Sequence, residues 1–485
     1  MTERDAQSSV IPEKNLLAFE PIRSKVLSLI DNEKIPSMAI AVAKDGEIIW
    51  QEAFGFADKE KNLLATVNSI YPVGSMAKSI TATGLMVLVD RGKVNLSDPV
   101  EKYLPKNKIR VFEGNSNDLT VKSVLNMSGG IPHGWLIYNE SAKSLFSTET
   151  LSESAISVFP PGEEEYSNFS YAIPEFLIEE VMQQSFSDFM QSSVFRPLGM
   201  MHSSFHFVKN REKDFTTRYG AELETLPQKY QAPVGSANFY CSIHDVIRYA
   251  LFHLKQLPDQ TNVIRDETLD IMHSVTGKAT QNAIFGLGWG ILDIEEGIKC
   301  LISNGRVSGG SSALMIIPSK NLAIACLLNM STDWVNPYAD NIVFEIADLF
   351  VPNFSEKLEK IQESFETENS PKPYEPSPSL LGEWDGYLLF KKEIPVQITF
   401  NSEGGIHLRV EKQKDQELNN AAILKDYLMG SLKKPLSIEE LPENNKVSIK
   451  LKIEDQRIYG YMSIQYSTEQ AYISIPYYIH LERQW

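Results

Sequence analysis

The sequence is poor in cysteine, with only Cys241, Cys300 and Cys326 among 485 residues. Three scattered thiols cannot build a disulfide framework, and they lack the close spacing of a zinc site. Long apolar runs are also absent, since no stretch approaches the roughly 18 residues that span a bilayer. The first residues contain no basic segment followed by an apolar one, as a secretory signal would. These absences predict a soluble, cytoplasmic protein without a membrane span.

Positive charge is in the minority. Lys and Arg total 46 against 63 Asp and Glu, which gives a net charge of −17. Nucleic-acid binding depends on clustered positive charge that displaces phosphate counterions, so this balance argues against a nucleic-acid partner. The 42% of hydrophobic and 22% of charged residues are typical of a globular protein. The length corresponds to about two or three domains.

Two pairs of strand-like segments frame the first part of the chain. They comprise residues 38–43 with 47–54, and residues 313–317 with 322–328. The first pair is joined by Asp45-Gly46, a strong signal for a tight hairpin turn. Residues 22–35 have helical apolar spacing, and most of the chain between the two pairs is typical of helices and loops. We therefore expect an α/β fold of the α+β type, an antiparallel sheet flanked by helices with a large helical insertion.

The composition changes after residue 354. Residues 355–379 are rich in Glu, Lys, Ser and Pro, which is typical of a charged helix end followed by a linker. Short alternating apolar runs dominate from residue 380 to residue 485, among them the predicted strands at residues 395–400, 406–410, 446–453 and 471–475. We predict a first domain at residues 1–354, a linker at 355–379 and a small all-β barrel or sandwich at 380–485.

A serine and a lysine precede a segment with helical spacing at residues 79–90. If Ser75 opens that helix, Lys78 lies one turn further on the same face, within hydrogen-bonding reach of the serine hydroxyl. A partly desolvated lysine can act as a base towards such a hydroxyl. The alternative is a helix-capping serine beside a solvated lysine, and the same spacing recurs without assigned meaning at Ser431 and Lys434.

A second motif, Tyr166-Ser167-Asn168, follows a Pro-Gly pair. A phenol held near a lysine can shuttle a nucleophile's proton, and an asparagine amide can bind a substrate carbonyl. By itself the tripeptide is compatible with an ordinary loop. Together with Ser75 and Lys78 it predicts a proton relay.

These motifs resemble the serine β-lactamase and penicillin-binding-protein superfamily, in the branch of class C β-lactamases, D-aminopeptidases and related esterases. The resemblance covers about residues 18–350. Further segments that resemble the family are residues 125–132, Arg196-Pro197-Leu198-Gly199-Met200, Gly235-Ser236-Ala237 through Asp245, and Phe285-Gly286-Leu287-Gly288-Trp289. The tail resembles the lipocalin-like domain appended to some members of the superfamily.

The resemblance implies a catalytic role for Ser75, Lys78 and Tyr166 and a substrate-binding role for Asn168. It also implies chemistry without a metal or another cofactor. The substrate is expected to be a small molecule or a peptide. The β-rich tail is expected to cover the site, to select substrate or to form a contact between copies of the chain.

The family's third motif, Lys-Thr-Gly or His-x-Gly, falls on Ser303-Asn304-Gly305, which the resemblance assigns to substrate binding. The usual cation is replaced by a serine, so a positive charge for a substrate carboxylate is lost. The resemblance places the oxyanion hole at the backbone N–H groups of Ser75 and Arg306. The Arg306 guanidinium either turns towards the site and replaces the lost charge or points to solvent.

Three functions remain open at this point. The first is a serine hydrolase that forms an acyl-enzyme on an amide or ester. The second is an acyltransferase or a penicillin-binding-protein-type thioesterase, which passes the acyl group of a substrate bound to a carrier protein to an amine. The third is an inactive binding protein that retains the fold after losing the cation at Ser303.

Overall fold

The computed structural model describes residues 9–10, 13–32, 34–104, 108–139, 156–277, 279–280, 283–332, 337–438 and 441–483. Its α-helices are Glu13–Asp31, Ala77–Asp90, Val121–Leu125, Ala172–Met182, Phe186–Met190, Arg196–Leu198, Val234–Ala237, Ile243–His253, Asp266–His273, Tyr338–Asp348 and Phe354–Asn369.

The strands before residue 330 are β1 Ser9–Val10, β2 Ser37–Lys44, β3 Glu47–Asp58, β4 Leu63–Leu64, β5 Tyr71–Pro72, β6 Trp135–Tyr138, β7 Ser203–Ser204, β8 Arg218–Tyr219, β9 Thr225–Leu226, β10 Tyr230–Ala232, β11 Tyr240–Cys241, β12 Ala279–Thr280, β13 Ala283–Phe285, β14 Gly290–Glu295, β15 Ile298–Ile302, β16 Gly305–Val307, β17 Gly310–Ile317 and β18 Leu322–Leu328. The later strands are β19 Lys372–Pro373, β20 Gly382–Leu389, β21 Glu393–Phe400, β22 Ile406–Val410, β23 Gln416–Leu424, β24 Tyr427–Leu432, β25 Lys446–Ile453, β26 Arg457–Ser467 and β27 Ala471–Arg483.

The first sheet joins strands from both ends of the first domain, as the sequence predicts. Its order is β1-β3-β2-β18-β17-β15-β14-β13-β12, with antiparallel neighbours, and β16 adds to β17. Strand β2 pairs with β18 from Met38 opposite Leu328 to Lys44 opposite Leu322. The predicted antiparallel sheet flanked by helices is therefore confirmed.

Both faces of this sheet are buried. Leu314 belongs to a core cluster that includes the helix Ala77–Asp90, whereas its neighbour Met315 belongs to a second cluster that includes the helix Tyr338–Asp348. Successive side chains of a strand point to opposite faces, so a strand covered on both faces needs a continuous apolar run. This explains why the whole of Leu322–Leu328 is apolar and buried.

The tail forms a closed barrel. Strands β20 to β26 pair in sequence order, and β27 pairs with both β26 and β20, which closes eight strands around a core of their own. Closure removes the exposed edges of the sheet, so the barrel rather than the sandwich is the observed architecture.

The last strand of the barrel also pairs with the first domain. The start of β27 pairs with β6, with Ser474 opposite Trp135 and Ala471 opposite Tyr138. Strand β10 continues the sheet on the other side of β6. The predicted strand at residues 471–475 therefore extends to Arg483, and its first residues carry the junction between the barrel and the first domain.

Two further expectations can be compared with the structure. The predicted helix at residues 22–35 begins at Glu13 and ends at Asp31, with Pro21 inside it. The described residues contain no helix that is long and apolar enough to cross a membrane. Cys241, Cys300 and Cys326 are free thiols, and all three are buried.

Candidate active site

Ser75 lies in a tight 3-10 turn, Gly74–Met76, that leads directly into the helix Ala77–Asp90. Gly74 adopts a φ of +59°, and a Cβ on it would lie 2.8 Å from the backbone nitrogen of Arg306. A side chain is excluded there both by the left-handed backbone and by the contact. The glycine therefore lets the serine turn pack against the strand that contains Arg306.

Lys78 lies beneath the serine hydroxyl and is 5% exposed. Its Nζ donates hydrogen bonds to Ser75 Oγ at 3.0 Å, to Asn168 Oδ1 at 2.7 Å and to the Ser236 carbonyl at 3.0 Å. Burial lowers the pKa of Lys78, because it penalises the ammonium form, although the neighbouring Tyr166 opposes the shift. The amine is thus held against the Ser75 hydroxyl with a reduced affinity for its proton.

Tyr166 reaches the same hydroxyl from the solvent side. Its Oη donates to Ser75 Oγ at 3.0 Å, and Lys78 Nζ lies 4.9 Å from its ring centroid. Desolvation raises the pKa of Tyr166, but the charge of Lys78 and hydrogen bonds from Lys78 and Ser75 outweigh it, so the net shift is downward. A base and an acid with displaced pKa values therefore meet at one hydroxyl.

Asn168 is held at both its side chain and its backbone. Besides accepting from Lys78, it donates its backbone N–H to Nδ1 of His133 at 3.3 Å. The structure thus brings together Ser75, Lys78, Tyr166 and Asn168, the four residues of the predicted relay.

Side chains of the segment Ser303-Asn304-Gly305, where the resemblance places the third motif, and of Arg306 lie alternately on two sides of the backbone. Ser303 is 7% exposed, and its hydroxyl shares a hydrogen bond of 2.8 Å with the Ser79 hydroxyl. Ser79 Oγ also donates to the Met76 carbonyl at 3.0 Å, so the Ser303 hydroxyl is left as the donor between the two serines. The hydroxyl of Ser303 is therefore occupied within the protein.

Asn304 and Arg306 both turn to the helix Tyr338–Asp348. The Asn304 amide donates to Asp340 Oδ1, and Arg306 donates to Asp340 Oδ2 at 2.7 Å. Arg306 lies opposite Ser311 in the sheet, and the hydroxyl of Ser311 donates to the Met330 carbonyl of the second core cluster. The sequence leaves two orientations of the Arg306 guanidinium open, towards the site or to solvent. The structure shows neither, because the guanidinium forms an ion pair with a buried carboxylate.

Gly305 lies on the opposite side of the strand and contacts the serine turn. A Cβ on Gly305 would lie 2.6 Å from the backbone nitrogen of Ser75 and 2.0 Å from the Val73 carbonyl. Together with the contact between Gly74 and Arg306, this brings the backbones of Ser75 and Arg306 side by side. The two predicted oxyanion-hole donors belong to adjacent backbone segments.

Aromatic rings line the solvent side of the site. The His133 ring lies 5.4 Å from Tyr166 and 5.1 Å from Trp135, and Trp135 lies 6.2 Å from Tyr472 of the barrel. Phe285 lies 6.3 Å from Tyr166 on another side. Burial, followed by the charge of Lys78, lowers the pKa of His133 to about 4, so this ring is neutral at pH 7.

The sequence leaves His133 open between the border of the cleft and a surface loop. Two other contributors to this site were missed, because the carbonyl of Ser236 has no side-chain signature and Tyr472 belongs to another domain. The carboxyl of Glu175 also supports the short helix Val234–Ala237, which contains Ser236, since it accepts the Gly235 N–H at 2.9 Å, and burial raises its pKa to about 8. No group of three or more potential ligands for a metal occurs in the part of the chain that the structure describes.

Known proteins are similar to this chain in sequence. A protein-family model described as Beta-lactamase matches residues 22–347. Protein flp of Staphylococcus aureus is 24% identical over 322 residues, which cover 65% of this chain and 64% of that protein. Unguisins hydrolase ungD' of Aspergillus campestris is 26% identical over 345 residues, or 67% of this chain and 64% of that protein. The match thus spans slightly less than two thirds of the length of either relative.

Two solved structures share the fold. The octameric penicillin-binding protein homologue from Pyrococcus abyssi superimposes with a TM-score of 0.60 and 22% identity, over 94% of this chain and 99% of that one. A class C beta-lactamase gives a TM-score of 0.58 and 17% identity, over 68% of this chain and 95% of that one.

Proposed function

The chain belongs to the beta-lactamase family, and on that premise we propose that it is a serine hydrolase that works through an acyl-enzyme on Ser75. The observation that carries the proposal is that Ser75 Oγ receives hydrogen bonds from Lys78 Nζ and Tyr166 Oη, each 3.0 Å long. A serine hydroxyl becomes a nucleophile when an adjacent base takes its proton.

In the first half of the reaction, neutral Lys78 takes the proton of Ser75 as Oγ bonds to the carbonyl carbon of an ester or amide. The bond from that carbon to the leaving oxygen or nitrogen then breaks. Tyr166 gives its proton to the leaving group and recovers one from Lys78. In the second half water attacks the acyl-enzyme, its proton follows the same route in reverse, and the acid leaves as Ser75 regains its hydroxyl.

The backbone N–H groups of Ser75 and Arg306 are proposed to stabilise the oxyanion that forms at each step. The close contact of Gly74 and Gly305 with these two backbone segments supports this role. Backbone donors do not depend on side-chain identity, so the unusual residue at position 306 leaves this function intact. One such donor is worth about 3 kcal/mol of transition-state stabilisation.

The charges around the site favour substrates without a carboxylate beside the scissile bond. Lys78 already donates to three acceptors, and Arg306 is paired with Asp340. Ser303 supplies no charge in place of the family's cation. The neutral rings around Tyr166 instead favour an uncharged acyl group with apolar or aromatic character.

Labelling of Ser75 by a fluorophosphonate tests the proposal. Intact-mass analysis should show one adduct on the native chain and none on Ser75→Ala. The matched control is Ser431→Ala, because Ser431 and Lys434 have the same spacing within the barrel. Repeated absence of an adduct on the native chain would instead favour a binding protein that has lost activity.

The product that forms from the acyl group distinguishes hydrolysis from acyl transfer. A labelled ester is incubated with the enzyme in water and again with an added amine, and the products are separated by chromatography. Acid as the only product in both reactions supports the hydrolase. An amide formed only with active enzyme would show that the acyl group is transferred.

A further inference from the structure

The barrel contacts the loop that leads into Tyr166. Residues 160–165 cross the surface of the first domain immediately before the tyrosine, and two of their carboxylates, Glu163 and Glu165, bind side chains of the barrel. These contacts join residues more than 250 positions apart in the sequence.

Glu165, the residue directly before Tyr166, is the more enclosed of the two. It forms an ion pair with Lys450 of β25 and accepts the hydroxyl of Tyr461 of β26 at 2.9 Å. The side chains of Glu165 and Lys450 are only 10% and 18% exposed. A carboxylate enclosed to this degree depends on its partners, because a buried charge left alone is costly.

Glu163 forms a second contact of the same kind. Lys452 of β25 donates to it at 2.6 Å, and the hydroxyl of Tyr427 of β24 donates at 3.1 Å. Lys450 and Lys452 are two residues apart on one strand, so their side chains point to the same side of the barrel wall. The loop is therefore held at two points by one rigid sheet.

The other side of the loop is fixed to the first domain. The backbone N–H of Glu165 donates to the Met127 carbonyl at 2.9 Å, and that of Gly162 donates to the Ser128 carbonyl at 2.7 Å. Phe159, just upstream, packs its ring 5.2 Å from Tyr427 and 6.0 Å from Tyr461. The segment before the tyrosine is thus enclosed between two domains.

We propose that the barrel is a positioning device for Tyr166, which it holds against Ser75 through the ion pairs Lys450–Glu165 and Lys452–Glu163. The phenol touches Ser75 Oγ at 3.0 Å, and a misplacement of about 1 Å costs on the order of a hundredfold in rate. Neither lysine belongs to the relay itself, so both act through the loop. The kinetic part of this inference rests on the proposed function.

The test uses the full chain with Lys450→Gln, Glu165→Gln and the double variant. Hydrogen exchange of peptides that span residues 160–168 reports whether the loop is held, and it does not depend on activity. The rate of Ser75 labelling and the separate values of kcat and KM for an ester report whether the tyrosine is positioned. Thermal unfolding shows that each variant is folded.

The matched control is Arg457→Gln. Arg457 of the barrel also pairs with a carboxylate of the first domain, Glu113, at 2.8 Å, and Tyr478 donates to the same carboxylate at 2.6 Å. This contact resembles the pair at Glu165 in chemistry but lies away from the Tyr166 loop in the chain. Arg457→Gln removes one interdomain ion pair but leaves the partners of Glu163 and Glu165 in place.

With Lys450→Gln and Glu165→Gln we expect faster exchange at residues 160–168 and a fall in kcat of about tenfold or more, with KM changed less than about threefold. The double variant should resemble the single ones, because the two residues act as one pair. Lys450→Arg should restore most of the rate. Arg457→Gln should leave both the hydrogen exchange of residues 160–168 and kcat within about twofold of the native chain.

Unchanged exchange at residues 160–168 in both single variants would overturn the proposal. Faster exchange with an unchanged rate would also overturn it, since the loop would then be held without positioning the phenol. If the native chain is not labelled at Ser75, the proposed function fails instead. The exchange data then still decide whether the barrel holds the loop.

Discussion

Arg306 and Asp340 form an ion pair of 2.7 Å on the face of the sheet that the helix Tyr338–Asp348 covers. Both side chains are largely buried, at 16% and 10% exposure. The turn that contains Ser75 contacts the same strand from its other face, through Gly305. The backbone of this short strand thus faces the site, whereas the side chain of Arg306 packs on the opposite face.

This arrangement predicts that Arg306→Gln affects stability more than substrate binding. Loss of one partner leaves the Asp340 carboxylate with the Asn304 amide and its own backbone N–H, and breaking a buried pair costs about 3 kcal/mol. Urea unfolding should show this loss, while KM for a neutral ester stays within about threefold. A large rise in KM at unchanged stability would show that the guanidinium binds substrate.

The contact between the serine turn and its neighbouring strand predicts a strong effect of Gly74→Ala. The new Cβ would lie 2.8 Å from the Arg306 nitrogen, so the two backbone segments must separate. We expect labelling of Ser75 to slow by at least about tenfold. The measurement is the rate of adduct formation with a fluorophosphonate.

Gly92→Ala is the control for backbone strain. Gly92 has a φ of +68°, close to that of Gly74, but a Cβ there would meet no atom within 4 Å. It should cost about 1 kcal/mol of stability and leave labelling unchanged. Equal slowing in both variants would assign the effect to lost stability rather than to the site.

The lowered pKa of Lys78 predicts that activity begins at a lower pH than an ordinary lysine base would allow. The amine must be neutral to accept a proton, so activity falls when the pH drops through its pKa, and burial moves that fall below the ordinary value of 10.5. The pH profile of kcat/KM should therefore show its rising limb below the ordinary lysine value of 10.5. Lys78 and Tyr166 interact, so the rising limb gives an apparent pKa of the pair rather than of either residue. Tyr166→Phe should therefore shift the limb along the pH axis.

Lys78→Arg tests the same assignment from the other direction. A guanidinium keeps the charge but does not release its proton, so kcat/KM should fall on the order of a hundredfold or more. An activity whose rising limb lies at or above pH 10.5, or that survives Lys78→Arg, would exclude Lys78 as the base.

Glu175 predicts a stability that decreases with rising pH. Burial raises its pKa from 4.5 to about 8, so the folded chain keeps a proton that the unfolded chain releases above about pH 4.5. The stabilisation is complete below that pH and is lost as the pH rises through 8, by roughly 3 to 5 kcal/mol. Urea unfolding at pH 5 and pH 8.5 should show a steeper loss in the native chain than in Glu175→Gln.

Local patterns in the sequence account for the central strands of the first sheet, for several strands of the barrel and for the closeness of Ser75 and Lys78. The strands Leu322–Leu328, Ile406–Val410 and Lys446–Ile453 have the predicted bounds, because alternation or a continuous apolar run marks each of them. Ser75 and Lys78 are one helical turn apart, so their contact follows from a single helix.

Local patterns in the sequence do not predict contacts between distant parts of the chain. The orientation of Arg306 is decided by Asp340, which lies 34 residues further on a helix with no motif. The anchoring of Glu165 depends on Lys450, 285 residues away. A surface lysine and a lysine that enters an interface have the same local sequence signal, so only the packed structure distinguishes them. The domain boundaries at residues 354 and 379 stay a prediction.

The aromatic rings contributed by two domains predict selectivity for the acyl group. Trp135 packs beside His133 and faces Tyr472 of the barrel, and a ring lost from such a wall removes about 1 to 3 kcal/mol of apolar contact. With Trp135→Ala we expect kcat/KM for a phenylacetyl ester to fall about tenfold or more, while that for an acetyl ester changes less than about threefold. Parallel assays of the two esters give the ratio directly. An equal fall for both esters would mean that Trp135 supports the site as a whole and does not select the acyl group.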